Sequence, residues 1–152
     1  MIPHKEQDGE ENNKEIVEKD WSLLNGLALA YVGDAIYEIY IREHLVQIGY
    51  TRPNQLHKTA TKYVSAKAQN MLMHEMLEEE NLLTEKEIEM YKRGRNAKSH
   101  TTAKNADIIT YRTSTGFEAL MGYLHLSKQT KRMEELISWC INTMEVKNNV
   151  QR

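Results

Sequence analysis

The sequence predicts an all-α protein, and three observations support this fold class. Apolar residues recur at intervals of three and four along most of the chain, which is the period of one face of an α-helix. Only 7 Gly and 2 Pro occur among the 152 residues, so turns are few. No stretch shows the apolar and polar alternation that is typical of a half-buried strand. We therefore expect six or seven helices in a single domain.

The chain divides into a central domain with a short polar segment at each end. Residues 1–19 are acidic and lack apolar periodicity, so we expect a tail there, and residues 147–152 form a second tail. The domain, residues 20–146, opens with a predicted helix over residues 21–48 that ends near Gly49. This helix is too apolar to be one-sided, which predicts a central position and leaves apolar surface for a partner.

Standard start signals predict the helices that follow. Pro53 opens a helix with a break expected near Ser65. Thr84 and Glu87 match a capping box, which starts another helix that runs up to a long loop at residues 94–106. Two final helices are predicted from apolar spacing, the first by Phe117, Leu120, Met121 and Leu124, and the second by Met133, Leu136, Ile137, Cys140 and Met144.

Composition excludes several classes of protein. Cys140 is the single cysteine, so an intramolecular disulfide or a thiolate zinc cluster is excluded and a reducing compartment is indicated. No stretch approaches the roughly 18 consecutive apolar residues of a membrane span. The first residues are too acidic and polar for a signal or transit peptide. We expect a cytoplasmic protein without a membrane partner.

The net charge of −2 conceals a basic segment in the second half of the chain. Residues 92–104 carry five Lys or Arg and no acid, which favours an anionic partner such as a phosphate backbone. A solvated basic loop is the alternative. The candidate contacts are Arg93, Arg95, Asn96, Lys98, Ser99, His100 and Lys104, with Arg112 before the next apolar helix. Among them we expect Arg95 and Lys98 to contact phosphates.

Asp34 is the first candidate for chemistry, because it lies in the apolar segment LALAYVGDAIYEIYI. A buried carboxylate is costly unless it is hydrogen-bonded, paired or bound to a metal ion. The neighbouring Gly33 costs about 1 kcal/mol relative to Ala inside a helix, so both residues need a compensating role. Glu38, four residues later, shares the helix face of Asp34. Asp34 is therefore a metal-binding or catalytic carboxylate, or else a helix cap or a buried hydrogen-bonding group.

Glu118 is the second candidate, in the segment STGFEALMGYLHL. It borders an apolar stripe, and Gly122 one turn later allows another helix to approach closely. An exposed glutamate is the alternative. Two carboxylates from separate helices suit Mg²⁺, or Mn²⁺ in its place, because these ions complete their shells with waters and substrate phosphates. Such an ion would activate water for phosphodiester hydrolysis.

Two segments together resemble the ribonuclease III family. YVGDAIYE, followed about eighty residues later by FEALMGYLHL, is similar to that family's paired signature, approximately LGDAVLE and FEALIGALYL. The order and spacing agree. RGRNAKS, which begins at Arg93, resembles the loop of the Mini-ribonuclease III subfamily, the short bacterial form that lacks a double-stranded-RNA-binding domain. The resemblance spans about residues 20–145.

The resemblance implies a fold, an activity and partners. The fold is the helical endonuclease domain of ribonuclease III, acting as a homodimer on double-stranded RNA. The implied substrate is a precursor of 23S ribosomal RNA, with a ribosomal protein as a further candidate partner. Asp34 and Glu118 match two metal-linked carboxylates of the family, which implies catalytic and Mg²⁺-binding roles for both.

Two other carboxylates of the family's usual site are absent here, since Ala30 and Thr115 stand in their places. Glu38 and Asp107 are the candidates for replacement oxygens, directly or through water, and for each the alternative is a surface residue. These substitutions also motivate a second functional hypothesis, a non-catalytic double-stranded-RNA-binding or ribosome-associated module with the same fold. A helical protein–protein adaptor is a third.

Overall fold

The structure is a computed structural model that describes residues 19–98 and 106–148. The described residues form a 3₁₀ turn and six α-helices, and they contain no strand, which confirms the all-α prediction. After the turn, Trp21–Leu23, come α1 (Gly26–Gln47), α2 (Pro53–Val64), α3 (Ala66–Glu78), α4 (Glu85–Arg95), α5 (Ala106–Leu126) and α6 (Thr130–Asn148). The predicted tails, apart from their inner residues, lie outside the described residues, as do Ser99, His100 and Lys104.

The first predicted helix begins later than its apolar pattern suggests. Asp20 caps the short 3₁₀ turn, because its Oδ1 atom accepts hydrogen bonds from the amide and the hydroxyl of Ser22. Leu24 is extended, and the side chain of Asn25 then accepts a bond of 2.9 Å from the Ala28 amide. Asn25 is therefore the N-cap of α1, because a capping oxygen satisfies an amide that has no partner within the helix.

Other helix boundaries follow the local rules. α1 stops two residues before Gly49, which has a φ of +110°. Ser65 ends α2 and caps α3 by accepting a bond from the Ala68 amide. At the start of α4 the capping box is complete, because Thr84 accepts from the Glu87 amide and Glu87 accepts from the Thr84 amide. The predicted break and capping box are confirmed.

The core lies around α1 and α5, which pack against each other through the centre of the molecule. The rings of Tyr37 and Phe117 meet edge to face, with their centroids 4.9 Å apart. The remaining helices surround this pair, and side chains from α2, α3, α4 and α6 complete the same cluster. The predicted central position of the first helix is confirmed.

Several apolar side chains of α1 are exposed. Tyr31 is 83% exposed, and Leu27, Ile39 and Val46 are exposed on the same helix. Leu23, in the preceding turn, is 77% exposed. In the described part of the chain, no helix combines the length and hydropathy that a membrane span requires.

A buried ion pair attaches α6 to the start of α4. The guanidinium of Arg132 donates to both carboxylate oxygens of Glu87, at 2.8 and 2.9 Å, and the Glu87 side chain is 4% exposed. Burial raises the pKa of Glu87, but hydrogen bonds from Arg132 and from the Thr84 amide outweigh burial and hold this pKa below its usual value. Folding is therefore linked to ionisation of Glu87.

Glu87→Gln is expected to destabilise the fold by about 2 kcal/mol at neutral pH, because Arg132 loses its buried counter-charge. The amide oxygen preserves the capping box. The folded-state pKa of Glu87 is lowered. The loss in the free energy of unfolding is therefore greatest above about pH 4.5, and it decreases as the pH falls further and Glu87 of the wild type becomes protonated. Urea unfolding from pH 7 to pH 3 measures this difference. Glu135→Gln removes the exposed partner of the same arginine, and a loss as large as that of Glu87→Gln would contradict the prediction.

Candidate active site

Two glycines allow α1 and α5 to cross at very short range. A Cβ atom at Gly33 would overlap the backbone carbonyl of Glu118, and one at Gly122 would overlap the carbonyl of Leu29. Only hydrogen atoms fit between the two backbones at these points. This explains why a residue that costs about 1 kcal/mol in a helix interior is used in the middle of α1.

The crossing brings Asp34 and Glu118 together. Asp34 follows Gly33 on α1, Glu118 lies one turn before Gly122 on α5, and their side chains are within hydrogen-bonding contact. Asp34 is exposed and Glu118 is half-buried. The expectation that Asp34 is a buried carboxylate or a helix cap is wrong, because it lies in the third turn of a helix that Asn25 caps.

The environment of Glu118 disfavours its charged form. Burial raises the pKa of Glu118 to about 8, and the negative charge of Asp34 and the hydrogen bond between the two carboxyl groups act in the same direction. A hydrogen bond from Gln69 acts in the opposite direction. At neutral pH Glu118 therefore carries a proton when no cation is bound. A cation at this position would replace that proton, since metal ligands bind in their deprotonated form.

The donor set fits a hard divalent cation. Asp34 and Glu118 offer only carboxylate oxygens, and the exposure of Asp34 leaves room for waters and a substrate phosphate. Mg²⁺ is commonly bound through one or two carboxylates under such conditions, whereas zinc prefers nitrogen and sulfur ligands. Within the described ranges, no group of three or more His, Cys, Asp or Glu side chains is placed to hold a metal ion.

Ala30 and Thr115 add no oxygen to this pair. Ala30 lies one turn before Asp34 and is buried in a small cluster with Leu29, Met90 and Ala119. The hydroxyl of Thr115 donates to the backbone carbonyl of Tyr111 within its own helix. Both side chains are committed to packing or to the backbone, so the site has two carboxylates at its centre.

Glu38 lies near this centre and Asp107 does not. The charge of Glu38 acts on Glu118, although its carboxylate also accepts a bond of 2.9 Å from Arg42. Asp107 is exposed and precedes Glu118 by eleven residues on α5. At a rise of 1.5 Å per residue, that separation is roughly 16 Å along the helix axis. The expectation that Asp107 supplies a replacement oxygen is therefore wrong.

A basic surface lies beside the site. Arg95, Asn96 and Lys98 line a shallow depression with Arg112, where the end of α4 meets the start of α5. Gly94 packs against the backbone of α5 one turn before Glu118, so this depression adjoins the turn that carries the glutamate. The predicted cations at these positions are thus brought together on one surface.

Arg93 is directed elsewhere. Its guanidinium donates to the backbone carbonyls of Ser22 and Leu24, at 2.7 and 3.2 Å. It therefore holds the 3₁₀ turn against α4, and it is only partly exposed. One nitrogen of the Arg93 guanidinium is thus used within the fold, and the predicted contact of Arg93 with RNA stays a prediction.

The structure adds Gln69, which sequence reasoning did not select. Gln69 is 1% exposed, on α3, and its amide lies between Ser114 and Glu118 of α5. A sequence signal for it exists, because Gln69 occupies the same helix face as the buried Leu72, Met73 and Met76. A polar side chain in an apolar stripe indicates a specific hydrogen-bond partner.

Comparison with known proteins agrees with this fold. The family model described as Ribonuclease III domain matches residues 27–129. The chain belongs to the ribonuclease III family and is an endoribonuclease. It is similar to the Mini-ribonuclease 3 of Enterococcus faecalis, with 70% identity over 123 residues that cover 81% of this chain and 92% of that relative.

Two further comparisons cover most of the chain. The Mini-ribonuclease 3 of Streptococcus pneumoniae is 63% identical over 126 residues, which cover 83% of this chain and 98% of the relative. An X-ray crystal structure of a protein from Fusobacterium nucleatum matches with a TM-score of 0.68 and 30% identity, covering 80% of this chain and 94% of that one. The expected resemblance to the Mini-ribonuclease III subfamily is confirmed.

Proposed function

We propose that this endoribonuclease hydrolyses double-stranded RNA at the Asp34–Glu118 pair, with Mg²⁺ as its cofactor and Mn²⁺ able to substitute. The observation that carries the proposal is the contact of two carboxyl groups from separate helices at a glycine crossing. Membership of the ribonuclease III family supports the reaction. The composition of the pair supports the choice of cation, since both ligands are hard oxygen donors.

The two carboxylates have different roles in this proposal. Glu118 is half-buried and hydrogen-bonded to Gln69, so it anchors the cation. Asp34 is exposed and binds the cation on the side that the substrate reaches. When bound, the cation supplies Lewis-acid activation of water and of the scissile phosphate. Neither carboxylate needs to act as a nucleophile.

The basic depression supports RNA as the anionic substrate. Arg95, Lys98 and Arg112 present positive charge next to the turn that carries Glu118. Duplex RNA is recognised mainly by shape, phosphates and 2′-hydroxyls, because its major groove is too deep and narrow for side chains. Cations with a small polar neighbour such as Asn96 suit that mode of recognition. Ser99, His100 and Lys104 are proposed as RNA contacts on sequence grounds alone.

We further propose that the protein acts as a homodimer. The exposed apolar side chains of α1 support an interface there, and Tyr31, the most exposed of them, lies one turn from Asp34. A symmetric dimer would place two sites about one duplex, so that both strands are cut. Sedimentation equilibrium tests this proposal, and a mass of 17.7 kDa at micromolar concentration would contradict it.

The substrate we propose is a precursor of 23S ribosomal RNA, with a ribosomal protein as a further partner. The resemblance of both motifs and of the RGRNAKS segment to the Mini-ribonuclease III subfamily supports this choice. Incubation of purified precursor with the protein, with and without ribosomal proteins, tests it. Cleavage of unrelated duplexes in preference to this precursor would contradict it.

A cleavage assay separates this function from the non-catalytic alternative. A long RNA duplex labelled on both strands is incubated with the protein and Mg²⁺, and with EDTA as a control. Products from both strands that require the cation support the proposal. Tight binding of the duplex without products would instead favour a binding module, which the loss of carboxylates at Ala30 and Thr115 makes a real alternative.

Lys98→Ala is expected to weaken RNA binding and to reduce its dependence on salt. Each phosphate contact contributes a slope of roughly −0.9 to log K against log salt concentration for a B-form duplex, so the slope should become shallower by about one unit. Titrations in EDTA at several salt concentrations measure the slope. Lys131→Ala, at an exposed position at the start of α6, is the matched control. A slope that is equally steep in both variants would remove Lys98 from the interface.

A further inference from the structure

A buried side chain from α3 reaches the back of the candidate site. Gln69 is 1% exposed and bridges one turn of α5. The hydroxyl of Ser114 donates to its Oε1 atom at 2.6 Å, and the amide is also hydrogen-bonded to Glu118. Ser114 and Glu118 are four residues apart, so they lie on the same face of α5. The three side chains form a continuous buried chain of hydrogen bonds that ends at the site.

The donors and acceptors fix the orientation of the amide. With Oε1 accepting from Ser114, the Nε2 group faces Glu118 and donates to its carboxylate. Once Glu118 is ionised, as cation binding requires, the reversed amide would point its oxygen at the carboxylate and place two acceptors together. Ser114 thus determines how Gln69 is turned, and Gln69 in turn constrains the Glu118 carboxylate.

We propose that Gln69 is a positioning residue that holds the Glu118 carboxylate in its cation-binding orientation, with Ser114 fixing Gln69 in turn. This inference rests on the proposed function, since it takes the Asp34–Glu118 pair as the cation site. Residues that orient metal ligands commonly contribute ten- to hundredfold to metal affinity. The contribution matters more where the ligands are few, and here Ala30 and Thr115 provide no additional carboxylate.

The crossing geometry explains why Glu118 needs support from α3. Asp34 comes from α1, and its negative charge disfavours the charged form of Glu118 when no cation is bound. A glutamate with three free torsions would turn away from that charge. A donor from a third helix, fixed at its other end, prevents this rotation. Gln69 can act as such a donor because its side chain is almost fully buried, which restricts its own rotation.

The test uses Gln69→Met in the full-length chain, because methionine has a similar length and volume and cannot donate a hydrogen bond. Calorimetric titration of the metal-free protein with Mn²⁺ should show a dissociation constant raised on the order of ten- to hundredfold. RNA binding in EDTA should be unchanged. Cleavage should fall at low Mn²⁺ and recover at saturating Mn²⁺, whereas KM for the duplex stays constant.

Ser114→Ala provides a second variant with a smaller change in volume. It frees the Gln69 amide to turn, so a smaller rise in the Mn²⁺ dissociation constant is expected. Thr143→Val is the matched control, since it removes a partly buried hydroxyl that donates to the Trp139 carbonyl within α6. This control should lose stability without any change in Mn²⁺ affinity.

The outcomes separate this inference from the proposed function. If the wild type binds Mn²⁺, Asp34→Asn abolishes that binding, and both Gln69→Met and Ser114→Ala retain wild-type affinity, the positioning role is overturned and the cation site stands. Should Gln69→Met fail to fold, the affinity of Ser114→Ala alone decides. A wild-type protein that binds no Mn²⁺ overturns both the cation site and the role of Gln69.

Discussion

Asp34→Asn is expected to abolish cleavage of double-stranded RNA while the fold and RNA binding persist. Asparagine keeps the shape of aspartate but loses the negative charge that a divalent cation requires. A bound cation contributes several kcal/mol to transition-state stabilisation, and 4 kcal/mol corresponds to about a thousandfold in rate. Because Asp34 is exposed, its replacement should leave stability nearly unchanged.

Single-turnover cleavage of a labelled duplex measures this effect, alongside thermal unfolding and RNA binding in EDTA. Glu38→Gln is the matched control, because Glu38 lies one turn from Asp34 on the same helix and is paired with Arg42. It should reduce cleavage by at most a few fold. Cleavage by Asp34→Asn within tenfold of the wild type would remove Asp34 from the proposed site.

Most of the fold follows from local sequence rules. The break at Ser65 and the capping box at Thr84 are each decided within a few residues, and both occur where predicted. The start of α1 is the exception. Apolar spacing continues without interruption from Trp21. The helix nevertheless begins after Asn25, because the side chain of Asn25 accepts a hydrogen bond from the Ala28 amide and caps the helix there. Periodicity predicts which face is buried, whereas the capping side chain decides where a helix begins.

The site is predictable where the chemistry is local and unpredictable where it depends on helix placement. Asp34 and Glu118 stand out because each is an acid in an apolar helix near a glycine, and the structure brings them into contact. Asp107 and Arg93 also have the right chemistry. The position of Asp107 depends on the direction of a helix axis, and that of Arg93 depends on which backbone carbonyls lie nearby. The residue types around them predict neither feature.

The glycine crossing leads to the second large effect, which is expected for Gly33→Ala. Helix propensity alone predicts that alanine stabilises α1 by about 1 kcal/mol. The crossing predicts the opposite sign, because the new methyl group would overlap the Glu118 carbonyl and no side-chain rotation can relieve a clash with backbone. Overpacking costs 1–3 kcal/mol and occasionally more. A clash with backbone lies above that range, at about 4 kcal/mol, so the propensity gain of about 1 kcal/mol leaves a net loss of about 3 kcal/mol.

Thermal and urea unfolding measure the sign as well as the size of this change. A loss of 3 kcal/mol corresponds to a fall of roughly 10 °C in Tm for a chain of this length. Ala35→Gly, at an exposed position two residues away, reports the propensity of the same helix without the crossing, and should cost about 1 kcal/mol.

Cleavage by Gly33→Ala should fall further than its stability implies. Separating α1 from α5 moves Asp34 away from Glu118, and an error of about 1 Å in catalytic geometry can cost a hundredfold. Activity measured well below the lowered Tm tests this point. A folded Gly33→Ala protein with wild-type stability and activity would show that the close crossing is dispensable.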